Sequence, residues 1–591
     1  MAGVRPDIGQ TVVIPRVGDN LAQALARLDE LANGADFALG HNLIAFDLPH
    51  LRAANPRLRL LDLLAVDTLR LNPLAFPRNP YHHLVKHYQD GSLIRGRRND
   101  PELDARLTLE VFDNQQKAFR EARAELLTAW HWLTTAVDSA GFDQFFAFLR
   151  ASPRPSDAEA RDAIHRCLAG NSCLTQAKMA VMDAAQQGWE VAYALAWLSV
   201  AGGNSVMPPW VRHQFPGAGR LVRQLRDNAC SDPDCDWCRE RHDVRRELSR
   251  WFGFDDFRPE PAGEDGRPLQ RDIVEAAMAG EHALGILPTG AGKSLCYQLP
   301  ALTRYDRTGA LTVVISPLVA LMADQRANAR ERVRLGDAGI LIIPPEQLRS
   351  VSLRRVLHQR EIGSWVLDEA HCLSRWGHDF RPDYRYVGRF IREKAGQDPI
   401  PPVLCLTATA KPDVKEEIAD YFKAELGIKL RVFDGGARRT NLDFVVVPTR
   451  GSAKFDDIYQ LLQEDLPEHM PGGAIIYCAT RRHSEEVAQF LQEKGVKADY
   501  FHAGLPPETR KHVQESFIRG DLRAIAAANA FGMGIDKPDV RLVIHTDIPG
   551  SLENYLQEAG RADGISRRPA ACCSIPRTTW SDSSGCRPVQ D

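Results

Sequence analysis

The segment Pro288–Ser294, which reads PTGAGKS, constrains the fold of this chain more than any other feature. It follows the strand-like apolar run Ala283–Leu287 and precedes the helical apolar run Leu295–Leu299. Glycines in such a turn let backbone N–H groups approach a phosphate, and the Lys-Ser pair adds an ammonium for phosphates and a hydroxyl for Mg²⁺. A glycine-rich turn alone is also a plain strand-to-helix connection, so the Lys-Ser pair carries the prediction of phosphate binding. The predicted contacts are Thr289, Gly290, Gly292, Lys293 and Ser294.

Strand and helix patterns alternate across the second half of the chain. Short apolar runs typical of buried parallel strands are separated by helical patterns, and the alternation restarts after Gly435. We therefore expect an α/β fold with two similar parallel-sheet lobes in tandem and a ligand cleft at the carboxyl ends of the strands. The runs are Ala283–Leu287, Leu311–Ser316, Trp365–Leu367 and Val403–Leu406, then Ala474–Tyr477, Ala524–Ala527 and Leu542–His545.

Composition limits the partners of the whole chain. The 591 residues include 74 Lys and Arg against 77 Asp and Glu, a net charge of -3, so any nucleic-acid surface must be local. Mean hydropathy is -0.31, and no apolar run approaches the roughly 20 residues that cross a bilayer, so we expect no membrane partner. The first residues have no signal-peptide pattern. We therefore expect a cytoplasmic protein with reduced cysteines, whose clustering suggests metal binding.

The segment Asp368–His371, which reads DEAH, follows the apolar run Ser364–Leu367. Strand ends of a parallel sheet meet at one edge, so both carboxylates should face the phosphate loop. Asp368 suits Mg²⁺ binding, and Glu369 suits orienting and deprotonating an attacking water. Alone, this tetrapeptide is more typical of an acidic helix start, but its combination with Pro288–Ser294 on one sheet favours the catalytic interpretation.

Further motifs occur in the order of one known family. Arg267 and Gln270 precede the phosphate loop, and the aromatic-rich segment Ser374–Pro382 follows the acidic pair. The other matching segments are Ser316–Met322, Thr407–Thr409, Tyr477–Thr480, His502–Leu505 and Phe531–Pro538. From about Arg267 to Arg561, these motifs resemble the RecQ family of DNA helicases, which belongs to helicase superfamily two.

The RecQ resemblance implies two RecA-like lobes that hydrolyse ATP with Mg²⁺ and move 3′ to 5′ along DNA. It places Arg267 and Gln270 at adenine-reading positions, and Asp368 with Ser294 on the metal. An aromatic-rich loop beside an arginine suits base stacking and phosphate contact, with a packed surface loop as the alternative. The implied catalytic residues are Lys293, Asp368, Glu369, His371 and Arg561, and the implied nucleic-acid contacts are Ser316, Trp376, His378, Phe380 and Arg381. The expected partners are single-stranded DNA and duplex junctions, RNA stays open as an alternative, and no oligomeric state is indicated.

Three departures from the family pattern lie within the two lobes. The stretch between Gln325 and Leu341 is short, which predicts the loss of a helix and a strand from the first sheet. Ala528 stands where the family has threonine. The arginine-finger segment Gln557–Gly564 retains Arg561 but lacks a second arginine, and an arginine finger contributes about 10³ to 10⁵ in rate.

The last segment, 563–591, has no apolar period and holds three cysteines in a Ser- and Pro-rich stretch. We expect it to form a disordered tail. A shifted reading frame beyond Ala562 can spell residues similar to the family. We therefore hypothesise a one-nucleotide deletion near that codon, which resequencing of the locus tests.

The residues Cys230, Cys235, Cys238 and His242 form a C-x4-C-x2-C-x3-H cluster. Four such ligands close together in the chain suit tetrahedral Zn²⁺, so we predict a structural zinc site. The cysteine spacing also resembles a ferredoxin-type iron–sulfur pattern, which would need another cysteine, and chance clustering is the third alternative. The usual zinc module of the RecQ family follows the two lobes, so this cluster is a different site.

The N-terminal unit resembles the back half of a DEDD-type 3′–5′ exonuclease, and hence part of an RNase H-like fold. Gly40–Asn42, Phe46–Asp47 and Leu51 match its second motif, and Asp104–Ala105 matches its third. Such nucleases bind two Mg²⁺ ions with carboxylates that include an early Asp-x-Glu pair, which does not occur before Asp47. Asn99 also replaces the base histidine of one subclass. We therefore predict a docking fold without nuclease activity.

These patterns divide the chain into five parts. They are a degenerate exonuclease-like domain (1–125), a helical connector with the metal cluster (126–250), an ATP-binding lobe (251–432), a second lobe (433–562) and the tail (563–591). The favoured function is an ATP-dependent 3′–5′ DNA helicase of RecQ type that serves replication, recombination or repair. The alternative is a truncated remnant that binds ATP and DNA without catalysis, and a nuclease is the third candidate.

Overall fold

The computed structural model describes most of the chain. Thr289, Trp376, His378 and Phe380 lie outside the described residues, as does nearly all of the shortened stretch in the first lobe. The described residues are 2–13, 21–79, 88–89, 92–93, 101–135, 140–200, 207–288, 290–317, 333, 337–374, 381–396, 398–408, 411–436, 442–449, 453–467, 469–528, 537, 539–550, 552–562 and 570–576.

The N-terminal unit combines short strands with four helices. Its elements are β1 Ala2–Arg5, β2 Gln10–Val13, α1 Leu21–Leu31, β3 Phe37–Gly40, α2 Leu48–Ala54, β4 Leu64–Asp67, α3 Thr68–Ala75, β5 Tyr88–Gln89, β6 Ser92–Leu93 and α4 Pro101–Glu121. β1 pairs antiparallel with β2, β5 pairs antiparallel with β6, and β3 pairs in parallel with β4.

Eight helices follow and form the connector. They are α5 Ala124–Thr134, α6 Ala140–Arg150, α7 Asp157–Leu168, α8 Leu174–Val200, α9 Pro209–Gln214, α10 Pro216–Arg226, α11 Asp236–Arg241 and α12 Val244–Phe252. A single apolar core contains Val66 and Phe119 of the N-terminal unit together with Trp130, Tyr193 and Leu225 of the connector. The N-terminal unit and the connector therefore share one core across the predicted boundary at residue 125.

The first lobe is a six-stranded parallel sheet with helices on both faces. Its elements are α13 Leu269–Met278, β7 Ala283–Ile286, α14 Lys293–Thr308, β8 Leu311–Ile315, β9 Ile340–Ile343, α15 Val351–His358, β10 Ile362–Leu367, α16 Tyr384–Ala395, β11 Val403–Thr407, α17 Pro412–Leu426 and β12 Arg431–Asp434. The strand order is β12-β7-β11-β10-β8-β9. The central strands are buried along their length because their side chains face helices on both sides.

The second lobe repeats this architecture. Its elements are β13 Asp443–Thr449, α18 Lys454–Asp465, β14 Gly473–Cys478, α19 Arg481–Glu493, β15 Ala498–Phe501, α20 Pro507–Arg519, β16 Ala524–Ala528, β17 Val540–His545, α21 Leu552–Ala559 and β18 Ala570–Pro576. The strand order is β13-β18-β17-β14-β16-β15, and all the pairs are parallel. The predicted fold class of two tandem parallel-sheet lobes is thus confirmed.

The expectation of a disordered tail does not hold for Ala570–Pro576. These seven residues form β18 between β13 and β17, with a continuous register to Asp443–Thr449 on one side. The short run AACCSIP contains the apolar and β-branched residues that a strand inside a parallel sheet needs.

Among the described residues, we find no helix that combines the length and the apolar character needed to cross a bilayer.

Candidate nucleotide-binding and metal sites

The phosphate loop connects β7 to α14, and its conformation depends on two glycines. Gly290 and Gly292 have φ of 85° and 75°, a region that favours glycine. A Cβ at Gly292 would lie 2.3 Å from Gln270 Nε2, so a larger residue has no room there. α14 begins directly after Gly292 with Lys293 and Ser294. The first-turn N–H groups of this helix are therefore available to an anion at the loop.

Gln270 supports the phosphate loop from α13. Its Nε2 donates to Ala291 O at 3.3 Å and to Gly292 O at 3.1 Å, and its Oε1 accepts from Arg258 N at 3.2 Å. Arg267 forms ion pairs of 3.0 and 2.6 Å with two carboxylates of α13. Both ends of the Gln270 amide thus hold protein backbone, and an adenine-reading role for Arg267 and Gln270 stays a prediction. No sequence motif drew attention to Arg258.

Lys293, Asp368 and Glu369 meet at the carboxyl ends of β8 and β10. Lys293 Nζ lies 3.7 Å from Glu369 Oε1. Asp368 N donates to Ile315 O at 2.8 Å, and Ser316 Oγ donates to Asp368 Oδ2 at 3.2 Å. The resemblance assigned Ser316 to nucleic acid, but its side chain is buried against Asp368 because it directly follows β8, the strand beside β10.

The two neighbouring carboxyls have opposite pKa shifts. Burial and then repulsion from Glu369 raise the pKa of Asp368 to about 6. Burial also acts to raise the pKa of Glu369, but nearby cations outweigh burial and lower this pKa to about 2; they are Lys293, His371 and Arg561. Glu369 is therefore ionised at neutral pH and can accept a proton, whereas Asp368 exchanges its proton near pH 6.

His371 connects the acidic pair to β11. Its Nδ1 lies 3.3 Å from Glu369 Oε2 and 3.0 Å from Oγ1 of Thr407, the last residue of β11. Tyr384, which sequence analysis missed, donates from its hydroxyl to Asp368 O at 2.9 Å. Glu369 itself has a φ of 50°, which is uncommon for a residue with a side chain. These contacts hold both carboxylates in place.

Arg561 acts on the acidic pair from the second lobe. It follows α21, and its positive charge is one of those that lower the pKa of Glu369 despite burial. Its Nε is buried without a hydrogen-bond partner among the described residues. A buried N–H group without a partner is costly, so this donor suits an oxygen of a ligand between the lobes.

The aromatic-rich loop is described only at its ends. Ser374 and Arg381 are described, and Arg381 N donates to Cys372 O at 2.9 Å. The Arg381 guanidinium donates to Pro317 O at 3.3 Å, which joins the end of this loop to the segment after β8. The nucleic-acid contacts assigned to this loop stay predictions.

Four cysteines converge beside the first lobe. The Sγ atoms of Cys173, Cys230, Cys235 and Cys238 all lie within 4.8 Å of one another. Cys173 Sγ is 3.6 Å from Cys235 Sγ, and Cys238 Sγ is 3.4 Å from Cys230 Sγ. Cys173 directly precedes α8 and is fully buried. Four thiols in this arrangement can hold a metal ion.

His242, the predicted fourth metal ligand, is not part of this four-thiol group, and its role as a ligand stays a prediction. Its Nδ1 accepts from Arg307 Nη1 at 3.2 Å, and burial and then the charge of Arg307 lower the pKa of His242 to about 4. α11 ends at Arg241, which places the His242 ring against α14 rather than in the cysteine cluster. Cys173, which lies outside the predicted cluster, is the fourth thiol of the group.

The exonuclease-like motifs line one cavity of about 900 Å³ in the N-terminal unit, which Asn42, Asp47 and Asp104 all contact. Asp67, which sequence analysis missed, organises this cavity by accepting from Asn42 N at 2.9 Å and Ile44 N at 3.0 Å. Burial and then the charge of Asp67 raise the pKa of Asp47. The exonuclease resemblance stays a prediction.

Two family models match the lobes. Residues 267–418 match the DEAD/DEAH box helicase model, and residues 453–563 match the helicase conserved C-terminal domain model. The first match includes the phosphate loop and the acidic pair, and the second includes Arg561.

Curated relatives are named as DNA helicases. The chain is 35% identical over 342 residues to a probable ATP-dependent DNA helicase RecS of Bacillus subtilis, covering 54% of this chain and 64% of the relative. It is 38% identical over 340 residues to a putative ATP-dependent DNA helicase Q1 of Caenorhabditis elegans, covering 52% of each. It is also 36% identical over 348 residues to the ATP-dependent DNA helicase RecQ of B. subtilis, covering 55% of each. The chain thus spans less than two thirds of these relatives.

Solved helicase structures are similar at lower identity. Helicase Lhr of Mycobacterium smegmatis, bound to ssDNA and AMP-PNP, has 21% identity and a TM-score of 0.44, covering 56% of this chain and 47% of that chain. Mss116p bound to ssRNA and AMP-PNP has 18% identity and a TM-score of 0.43, covering 52% and 69%.

Proposed function

We propose that this chain is an ATP-dependent DNA helicase of the RecQ type, with ATP as substrate and Mg²⁺ as cofactor. The observation that carries the proposal is the meeting of Lys293, Asp368 and Glu369 at one sheet edge, with Arg561 of the second lobe acting on Glu369. The RecQ-type motifs and the curated relatives, which are named as DNA helicases, support DNA as the nucleic acid.

ATP hydrolysis at this site transfers the terminal phosphoryl group to water. Glu369 accepts a proton from the attacking water as its oxygen bonds to phosphorus, and ADP departs with the electrons of the broken P–O bond. Lys293 and Arg561 stabilise negative charge on the phosphate oxygens. Asp368 and Ser294 offer the oxygen donors that suit Mg²⁺, which when bound neutralises the phosphates.

Movement along DNA requires the two lobes to close on ATP and reopen after hydrolysis. Unwinding costs about 1.4 kcal/mol of stacking per base-pair step, which repeated turnover can supply. The 3′ to 5′ polarity, the role in recombination, repair or replication, and the cytoplasmic location are the parts of the proposal that follow from the RecQ resemblance and the sequence.

ATP turnover by the full chain, with and without single-stranded DNA, tests the proposal. We expect DNA-stimulated hydrolysis that Lys293→Ala and Glu369→Gln abolish, with nucleotide binding retained in Glu369→Gln. We also expect unwinding of duplexes with a 3′ tail but not a 5′ tail. Binding of ATP and DNA without hydrolysis would favour the non-catalytic remnant, and stimulation by RNA alone would contradict a DNA helicase.

The four-cysteine site is part of this proposal as a structural zinc site. Zn–S bonds of about 2.3 Å at tetrahedral angles put sulfur atoms about 3.8 Å apart. The sulfur atoms of Cys173 and Cys235 are 3.6 Å apart and those of Cys230 and Cys238 are 3.4 Å apart, which is close to this spacing. An iron–sulfur cluster spreads its thiolates over several iron atoms, so it needs wider spacing. The sulfur distances therefore favour a single ion.

Metal analysis of three variants tests the ligand set. Cys173→Ser should lose zinc, whereas His242→Ala should keep one zinc per chain because His242 contacts Arg307 instead. Cys167→Ser is the matched control, since Cys167 is also buried and lies outside the cluster. Iron in the purified protein, or zinc loss in His242→Ala with retention in Cys173→Ser, would contradict this site.

A further inference from the structure

A cavity of about 280 Å³ lies between the connector and the first lobe, beside the four-cysteine site. Its walls come from α10, α11, α12 and the end of α14, and most of its charged side chains are cationic. The side chains that matter here are Arg226, Trp237, Arg241, Arg250, Asp306 and Arg307.

A balanced ionic network adjoins this cavity and includes three of its lining residues. Three arginines meet three carboxylates, and the side chains are mostly buried, so these six charges compensate one another. The pairs are Arg250 with Asp306 at 2.9 Å, Arg304 with Asp227 at 2.9 Å, and Arg307 with Glu247 at 3.6 Å.

Arg226 and Arg241 form no ion pair among the described residues, although Asp306 also attracts Arg226 electrostatically. Arg226 Nε donates to the neutral Asn171 O at 3.1 Å. Among the described residues, Arg241 has no ion pair or side-chain hydrogen bond, and the adjacent Glu240 pairs with Arg246 instead. Burial and then the charge of Arg241 lower the pKa of Arg226, so the two guanidinium groups are close enough to repel each other.

Tryptophan side chains support both guanidinium groups. Arg226 lies 5.7 Å from the ring centre of Trp197, and Arg241 lies 5.8 Å from that of Trp237. Stacking on an indole occupies the face of a guanidinium and leaves its N–H edge for an anion. The two arginines are thus held in place. Arg226 Nη2 donates to Asn171 Oδ1 at 3.4 Å, whereas Nη1 of Arg226 and the guanidinium of Arg241 make no hydrogen bond among the described residues.

The chemistry of this cavity matches a phosphodiester. The Arg241 fork and Nη1 of Arg226 can donate to phosphate oxygens. The volume is below the roughly 300 Å³ of small-molecule pockets, which suits one phosphate with its sugar. Trp237 lines the same cavity and is partly exposed, so a base can stack on it. We propose that Arg226 and Arg241 bind a backbone phosphate of single-stranded DNA outside the cleft between the lobes, a site that rests on the proposed DNA helicase function.

Equilibrium binding of a labelled single-stranded oligonucleotide to the full chain, at several salt concentrations and without nucleotide, tests the site. The Arg226→Gln/Arg241→Gln variant should bind the oligonucleotide about tenfold more weakly, because one charge-assisted hydrogen-bonded contact to a phosphate is lost. The slope of log affinity against log salt should fall by about 0.7 for each lost phosphate contact. Arg220→Gln/Arg239→Gln is the matched control, because it removes the same charge from α10 and α11 at exposed positions.

The outcomes separate this site from the motor. If the double variant binds DNA with the affinity and salt slope of its control, the proposal is overturned. If the double variant loses only the binding of inorganic phosphate, the proposal is also overturned, because the cavity would then bind a free anion. Arg241→Gln alone should also bind the oligonucleotide more weakly and with a smaller salt slope. This variant breaks no side-chain hydrogen bond among the described residues, because Arg241 makes none there. Because the assay contains no ATP, an inactive motor would leave this result unchanged.

Discussion

Asp368 and Glu369 are adjacent in the chain, yet their surroundings shift the pKa of the two carboxyls in opposite directions. The folded pKa of Asp368 is about 6, above its ordinary value of 3.8, so the folded state holds more protons between these values and loses stability as the pH rises through them. The folded pKa of Glu369 is about 2, below 4.5, so its stabilisation is present above pH 4.5 and is lost as the pH falls toward 2.

Neutralising each carboxyl should therefore have opposite effects on stability. At pH 7.5, without Mg²⁺ or nucleotide, Asp368→Asn should raise the thermal unfolding midpoint and Glu369→Gln should lower it. The gain in Asp368→Asn should shrink at pH 4, where the wild-type carboxyl is largely protonated in the folded state. Calorimetry at both pH values measures this, and shifts of the same sign in the two variants would contradict the opposite pKa shifts.

Residues with a local signature were predictable from sequence, and residues joined only by folding were not. Lys293 and Glu369 stand in compact motifs that follow strands, so their meeting could be predicted. Cys173 lies far from the other three cysteines and reaches them only because α8 packs on α10. His242 has a suitable spacing but points to Arg307, a preference that spacing alone cannot express.

At the scale of elements, α14 connects the nucleotide site to the connector. It begins with Lys293 at the phosphate loop, and Arg304 near its other end pairs with Asp227 of the connector at 2.9 Å. Both side chains are largely buried, so breaking this pair leaves Asp227 with only its longer, 3.8 Å pair to Arg307.

Removing one partner of this pair should lower the free energy of unfolding more than removing both partners. Arg304→Met should lower the free energy of unfolding by about 3 kcal/mol, the low end of the cost of breaking a buried pair, because Arg307 still pairs with Asp227 at 3.8 Å. Asp227→Asn combined with Arg304→Met should recover part of that loss. Urea denaturation of the wild type, Arg304→Met and the double variant measures the three free energies of unfolding. Equal losses of stability in the single and double variants would show that the charge of Asp227 is not the cause.

β18 makes a second element-scale prediction. It is the strand to which β13 pairs, and it also covers one edge of β17. A chain ending at Ala562 should therefore unfold at a lower temperature than a chain ending at Pro576, because β17 would become an unpaired edge. Equal unfolding midpoints in the two shortened chains would contradict a stabilising role for this strand.

Three of the strands that sequence analysis missed share a physical cause. The seven predicted strands are central or next to the centre of each sheet, where helices cover both faces and the sequence is a continuous apolar run. β9, β12, β13 and β15 lie toward the edges and carry exposed or half-buried side chains. β12, β13 and β15 mix polar and apolar residues, so they lack that signal, whereas β9 reads ILII and its absence from the prediction has no such explanation.

At the scale of the whole molecule, Arg561 makes the two lobes one catalytic unit, provided that the proposed function holds. Arg561→Gln should slow DNA-stimulated ATP hydrolysis by about 10³, in the range for an arginine finger, while nucleotide affinity changes little. Arg482→Gln, at an exposed position on α19, should hydrolyse ATP normally. Single-turnover hydrolysis and nucleotide binding are measured separately. A lower nucleotide affinity with an unchanged rate of hydrolysis would contradict this prediction.

The apolar core that joins the N-terminal unit to the connector affects both the proteolysis of this protein and the recombination of its gene. Val66 and Phe119 pack in one core with Trp130 and Leu225. A protease or a recombination event that separated the N-terminal unit from the connector would therefore expose apolar surface on both fragments. The region before the lobes should therefore pass between proteins, and survive digestion, as an indivisible block.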